Sequence, residues 1–276
     1  MSFPTVLAVI GGTDPVSDIE QAASLAAERD AHLSVLVLGA ALSPMGADYP
    51  VATAWLDERQ ADIKALVAVR EKVEEACRQN GIHCDVDHIY DDRFILEGSV
   101  ALRAVYADVV VAGAGLRADA ALRNVLVAGA VFGAHTPVLL FPKARKPSLM
   151  PKNVLLAWNS RPEAASAAKA AMPLLTGAET VRVVLVDPDV GYGRNGGEPG
   201  ADIATFLSRH DVNVTVEQLA SGERRTEDVL RQHALETGCD MMVMGAYGHS
   251  RLRERVFGGV TASVIRDFNV PVFLAR

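Results

Sequence analysis

A chain of 276 residues is long enough for two ordinary domains or one large one, and with half of its residues apolar it suits a soluble protein with a substantial core. The formal charge of -7 argues against nucleic acid and anionic membrane surfaces, both of which select a basic face. No apolar run approaches the length needed to span a bilayer. The opening MSFPTVLAVIGGTD lacks the basic segment of a signal peptide, and Cys77, Cys84 and Cys239 are too few and too irregular for a disulfide framework or a zinc site. A reducing cytoplasm is the expected location.

Taken in order, the chain opens with TVLAVI (5–10), a short aliphatic run that ends at Gly11, Gly12, Thr13, Asp14 and Pro15 and leads into the helical stretch IEQAASLAAERD. A run this short and this apolar reads as a buried parallel strand, and Asp14 reads as the helix cap. HLSVLVLGA is the second strand, CDVDHIY the third, a helix starts near Phe94, DVVVAGA is the fourth strand, and TPVLLF closes the series. The basic, proline-bracketed segment Pro142–Pro151 reads as a linker. The series then restarts with NVLLAW (153–158), Asn159, Ser160, Arg161 and Pro162, and the helix EAASAAKAAMPLL. Ser160 and Glu163, with Pro162 in the first turn, have the spacing of a capping box. TVRVVLVD, NVTVEQL, a helix from Glu223, DMMVMGA and VPVFLA complete the second copy.

Strands alternating with helices at this spacing imply parallel β-α-β units with right-handed crossovers. The chain is therefore expected to hold two tandem doubly wound, Rossmann-like α/β domains, each with a five-stranded parallel sheet. They span residues 1–142 and 153–276, joined by a linker over 143–152. In such a fold the ligand lies at the C-terminal ends of the strands, where strand order reverses.

The second copy carries a suitable loop there. Gly245 and Gly248 fall where the fourth strand ends, and Gly258, Gly259, Val260 and Thr261 where the next helix begins. Glycine lets a backbone approach a ligand closely, and a helix start offers free N–H groups and a positive dipole end to phosphate. Tight turns alone would also use these glycines. The first copy has Ala112, Gly113, Ala114 and Gly115 after its fourth strand, with a helix start expected near Asn124, where Val125 and Leu126 would crowd a phosphate. It reads as a degenerate copy.

Other signals are weaker. Gly191, Gly193 and Gly196 match a dinucleotide pattern by letter but follow the second strand, not the first. Gly11–Asp14 resembles the SGGxDS loop of ATP pyrophosphatases, but Ile10 and Pro15 stand where its serines would be. His83 and His88, near Cys84, Asp85 and Asp87, cannot converge on a metal from one straight strand. Arg251, Arg253 and Arg255 with His249 form a basic patch that is either a solvated face or a phosphate attractant.

The spacing Gly245-x2-Gly248-x9-Gly258, followed by Gly259, Val260 and Thr261, closely resembles the glycine loop of universal stress protein domains. The order of elements across both halves is similar to that of tandem members. The resemblance implies an intramolecular pseudo-dimer, with a further homodimer left open. It also implies ATP or a related adenine nucleotide, bound in the C-terminal half only. The phosphates and ribose would meet Met244, Gly245, Gly248, Gly258, Gly259, Val260 and Thr261. The adenine would meet Ala157, Trp158, Asn159 and Leu185. Two departures bear on this: Asn159 stands where the family usually has Asp, and Gly259 where it has Ser or Thr. The function implied is a non-enzymatic, nucleotide-responsive stress protein, with slow ATP hydrolysis still compatible. The alternative is a scaffold or small-ligand carrier that has lost nucleotide binding. An ATP-using enzyme is disfavoured, since no base, nucleophile or metal constellation accompanies the loop.

Overall fold

The computed structural model describes residues 3–41, 52–143, 145–189, 198–247 and 259–276. The chain divides into two compact units, Pro4–Thr136 and Pro137–Arg276, the second joined by Met1–Phe3.

In the first unit, β1 (Thr5–Ile10) is buried on both faces, which its unbroken aliphatic sequence permits. α1 (Pro15–Ala27) follows with Pro15 at its start. Asp14 holds the N-cap position with a left-handed backbone, φ 49°, and makes no side-chain cap bond there. Then come β2 (His32–Ala40), α2 (Ala52–Gln79), β3 (Cys84–Asp91), α3 (Arg93–Ala104) and β4 (Val109–Ala112). The four strands run parallel in the order β3-β2-β1-β4, so strand order reverses beside β1. The chain turns directly from β4 into α4 (Ala114–Ala118), then α5 (Ala120–Val127) and a π-helical segment, Ala128–Gly133. The helix start expected near Asn124 is corrected by this. The Asp119 carboxylate accepts from the N–H groups of Ala121 and Leu122 at 2.9 and 3.0 Å and starts α5 four residues earlier. Val125 and Leu126 are buried in the core.

The second unit contains β5 (Val138–Leu140), β6 (Asn153–Ala157), α6 (Pro162–Ala170), α7 (Met172–Leu175), β7 (Thr180–Val186) and α8 (Ala201–Ser208). It continues through β8 (Val214–Leu219), α9 (Thr226–Glu236), β9 (Met241–Gly245), α10 (Gly259–Asp267) and β10 (Val272–Ala275). Its strands lie in the order β5-β10-β9-β6-β7-β8. The five from the second half are parallel, while β5 pairs antiparallel with β10, Val272 opposite Leu140 and Leu274 opposite Val138.

The expected doubly wound α/β alternation is present, and the difference lies in β5. This closing strand of the first half groups with the second unit and runs against its neighbour. The reason is in the sequence of its partner, since the fully apolar β10 would be an open template if β5 did not cover it. The segment after it is no free linker either. The Arg145 guanidinium donates to the Cys239 carbonyl at 2.6 Å, and Leu149 is fully buried.

Candidate functional site

The reversal of strand order in the second unit falls at β6, flanked by β7 on one side and β9 on the other. Ala157 ends β6 in register with Val184 of β7 and Met244 of β9, so these three side chains form one row across the sheet. They floor a cavity of about 380 Å³ at the C-terminal strand ends, within the size range of small-molecule sites. Trp158, Asn159, Arg161, Glu163 and Ala164 wall it on the α6 side, Val186, Thr226 and Leu230 on the α9 side, and Gly245, Tyr247, Gly259, Val260 and Thr261 close the rest.

Eight of the residues expected from sequence therefore meet in one cleft: Ala157, Trp158, Asn159, Met244, Gly245, Gly259, Val260 and Thr261. Leu185 does not line it. Side chains alternate along a strand, so Val184 and Val186 face the cleft while Leu185 is buried and lies within reach of Gly200, where an added Cβ would come 3.0 Å from Leu185 Cδ1. Gly248 and Gly258 lie outside the described residues, as do the dinucleotide-like glycines 191–196 and the basic residues 249–255.

The local geometry revises two further expectations. The N-cap of α6 is Arg161, with no side-chain cap bond, so Ser160 and Glu163 do not form a capping box. Ser160 instead has φ 57°, and its hydroxyl accepts the Trp158 indole N–H at 3.1 Å. That bond orients the tryptophan. The Asn159 side-chain carbonyl accepts from the Arg161 N–H at 3.2 Å, bracing the turn. Gly245 also has a packing role: a Cβ there would meet the Glu163 carbonyl carbon at 2.5 Å. Around Gly259, by contrast, an added Cβ would meet no described heavy atom within 4 Å.

Tyr247 joins the strand end to that helix. Its backbone N–H donates to Thr261 Oγ1 at 3.2 Å, and the Arg161 guanidinium carbon lies 5.1 Å from its ring centroid. Neither Tyr247 nor Arg161 was expected from the sequence. Tyr247 sits inside the glycine loop pattern, but nothing in that pattern marks its ring.

The corresponding corner of the first unit is filled by its own side chains. Asp18 of α1 is buried, and its carboxylate accepts from the Gly115 and Leu116 N–H groups at 3.2 and 3.1 Å. A Cβ on Gly113 would collide with that carboxylate, and one on Gly11 would press on Leu122 at 3.1 Å.

The fold and the cleft together define a doubly wound α/β protein with a crevice, lined by described residues, at a point of strand-order reversal. Residues 150–276 match the sequence model of the universal stress protein family. Over 50 residues the chain is 38% identical to universal stress protein Slr1230 of Synechocystis, which covers 18% of this chain and 17% of that protein's own length. A universal stress protein from Archaeoglobus fulgidus has a similar structure, with TM-score 0.66 and 16% identity over 100% of this chain and 99% of that one. A functionally unknown protein from Pseudomonas aeruginosa matches with TM-score 0.59 and 15% identity over 99% of this chain and 92% of its own. At these identities the likeness concerns the fold. A further solved universal stress protein, in complex with cAMP, matches 51% of this chain and 97% of its own at 20% identity, with TM-score 0.33.

Proposed function

We propose that this is a non-enzymatic stress-response protein that responds to an adenine nucleotide, ATP foremost, held in the second unit. One observation carries the reading: among the described residues, a cleft at the strand-order reversal joins an apolar floor and a tryptophan wall at one side to the first turn of α10 at another. The apolar surfaces suit a base, and the helix start suits phosphate. In the same proposal the sequence halves form an intramolecular pseudo-dimer, supported by the pairing of β5 with β10, and the protein acts in the cytoplasm. No described helix is long and apolar enough to cross a membrane.

The test is native mass spectrometry of protein purified without added nucleotide, followed by calorimetric titration with ATP. Carried-over nucleotide, or one site per chain, is the expected result. Two equivalent sites would contradict a closed first unit, and no binding at millimolar ATP would refute the nucleotide reading. The alternative then takes over: a scaffold or carrier of another small ligand. Gly259 favours it, because the side chain that would face phosphate offers no hydroxyl.

A further inference from the structure

Arg161 is a cation on the wall of the cleft that the glycine-loop pattern does not assign. It precedes Pro162 at the start of α6, and its extended backbone (φ -94°, ψ 157°) sends an exposed side chain along the cleft. The guanidinium rests over the Tyr247 ring, and the Tyr247 backbone is bonded to Thr261 in the first turn of α10. The cation and the helix start are thus attached to one residue. A guanidinium held over an aromatic face uses its own face for that contact and keeps its N–H donors for an acceptor. None of the ion pairs among the described residues includes Arg161.

Charge sharpens the point. Among the described residues lining the cleft, Arg161 and Glu163 are the charged ones, and they sum to zero. Without Arg161 the wall would carry a net negative charge from Glu163, which repels a polyanion. With it, the wall tolerates phosphate and offers a planar, always-charged donor suited to two oxygens at once.

Resting on the nucleotide reading above, we infer that Arg161 is a phosphate-binding side chain of this cleft. It supplies the donor that Gly259 lacks and makes the site select ligands by their phosphate charge. The selected class is nucleotides over nucleosides, in rising order from monophosphate to triphosphate.

The experiment is calorimetric titration of wild type, Arg161→Ser and Arg161→Lys with ATP, AMP and adenosine, at low and high salt. Serine is a favoured N-cap residue, so that variant retains α6. Loss of a charge-assisted phosphate contact should weaken ATP binding by about tenfold to a hundredfold, AMP binding by less, and adenosine binding not at all. Lysine should recover part of the ATP affinity, and added salt should narrow the difference between wild type and the serine variant. If Arg161→Ser weakens ATP and adenosine by the same factor, or weakens neither, Arg161 only props Tyr247 and the inference is overturned. If wild type binds none of the three, the nucleotide reading itself fails and takes the inference with it.

Discussion

Gly245→Ala adds one carbon where β9 meets the start of α6, and the structure says what that carbon would strike. It would lie 2.5 Å from the Glu163 carbonyl carbon and 2.6 Å from the Ala164 nitrogen. Carbon atoms attract at about 3.5–4.0 Å, so the start of α6 must withdraw by roughly an ångström. Both obstructing atoms are backbone, so no side-chain rotation relieves the clash. β9 cannot yield instead, because it is paired on both sides, with β10 and β6. Overpacking of this kind costs about 1–3 kcal/mol, and the upper part of that range is expected here. Since α6 carries Glu163 and Ala164 on the cleft wall, with Arg161 just before them, ATP affinity should fall too. Urea unfolding followed by circular dichroism measures the first effect. Trp158 fluorescence during ATP titration, in a Trp55→Phe background, measures the second. An alanine variant with the wild-type urea midpoint that loses only ligand binding would refute the packing argument. Gly245 would then serve ligand approach alone.

Asp18→Ala strips the acceptor from two N–H groups at the start of α4, and since each buried unsatisfied donor costs about 1–3 kcal/mol, the first unit should lose roughly 3 kcal/mol in urea unfolding. A loss below about 1 kcal/mol would mean that these N–H groups find another acceptor. Gly259→Ser should tighten ATP about tenfold or more through a phosphate hydrogen bond, while Gly259→Ala should gain nothing in the same titration. Burial pushes the Cys239 thiol from 9.0 up to about 11. Its folded value exceeds its unfolded one, so its stabilising contribution is complete below about pH 9 and is lost as the pH rises through about 11, by roughly 2–3 kcal/mol. Cys239→Ala should flatten the alkaline limb of a stability-against-pH curve, and an unchanged slope would count against this.

Much of the fold is legible in the sequence because its strands are short, apolar and buried on both faces. HLSVLVLGA coincides with β2 residue for residue. The same uniformity hides which face a side chain takes. In TVRVVLVD nothing separates Leu185 from Val184 and Val186, and only the pairing of Ala157 with Val184 decides which reach the cleft. The partner of β5 is less hidden, since TPVLLF and VPVFLA are both apolar runs that would otherwise lie at sheet edges, and the two pair. At the start of α6, Ser160 and Glu163 have capping-box spacing. The turn braced by Asn159 and the Trp158 indole bond puts Ser160 in a left-handed conformation instead. Arg161 and Tyr247 carry no periodic signal at all, being single polar residues at turns that tertiary packing brings together.

The two halves also show how one backbone corner can be satisfied from within or left for a ligand, and this yields a last prediction. Gly113, Ala114 and Gly115 after β4 correspond to Gly245, Ala246 and Tyr247 at the end of β9. The Gly115 N–H is taken by the Asp18 carboxylate, and the Tyr247 N–H by the Thr261 hydroxyl. Counted from the start of the first helix of each half, the second-half counterpart of Asp18 is Ala165, and its neighbour Ala164 lines the cleft beside Gly245; neither offers a side-chain acceptor. The second cleft is open partly because α6 has alanine where α1 has aspartate. Ala164→Asp would set a carboxylate beside Gly245, in competition with Thr261 for the Tyr247 N–H, at the end of the cleft where phosphate should lie. Ala164→Asn adds the same volume without the charge. We expect the aspartate variant to lose ATP binding beyond detection, and the asparagine variant to lose less than the aspartate. Adenosine should distinguish the two variants least, because it brings no charge for the carboxylate to repel. Calorimetry with both ligands reads this directly. If Ala164→Asp binds ATP as wild type does, the two corners are not equivalent, and the closure of the first unit by Asp18 has no counterpart in the second.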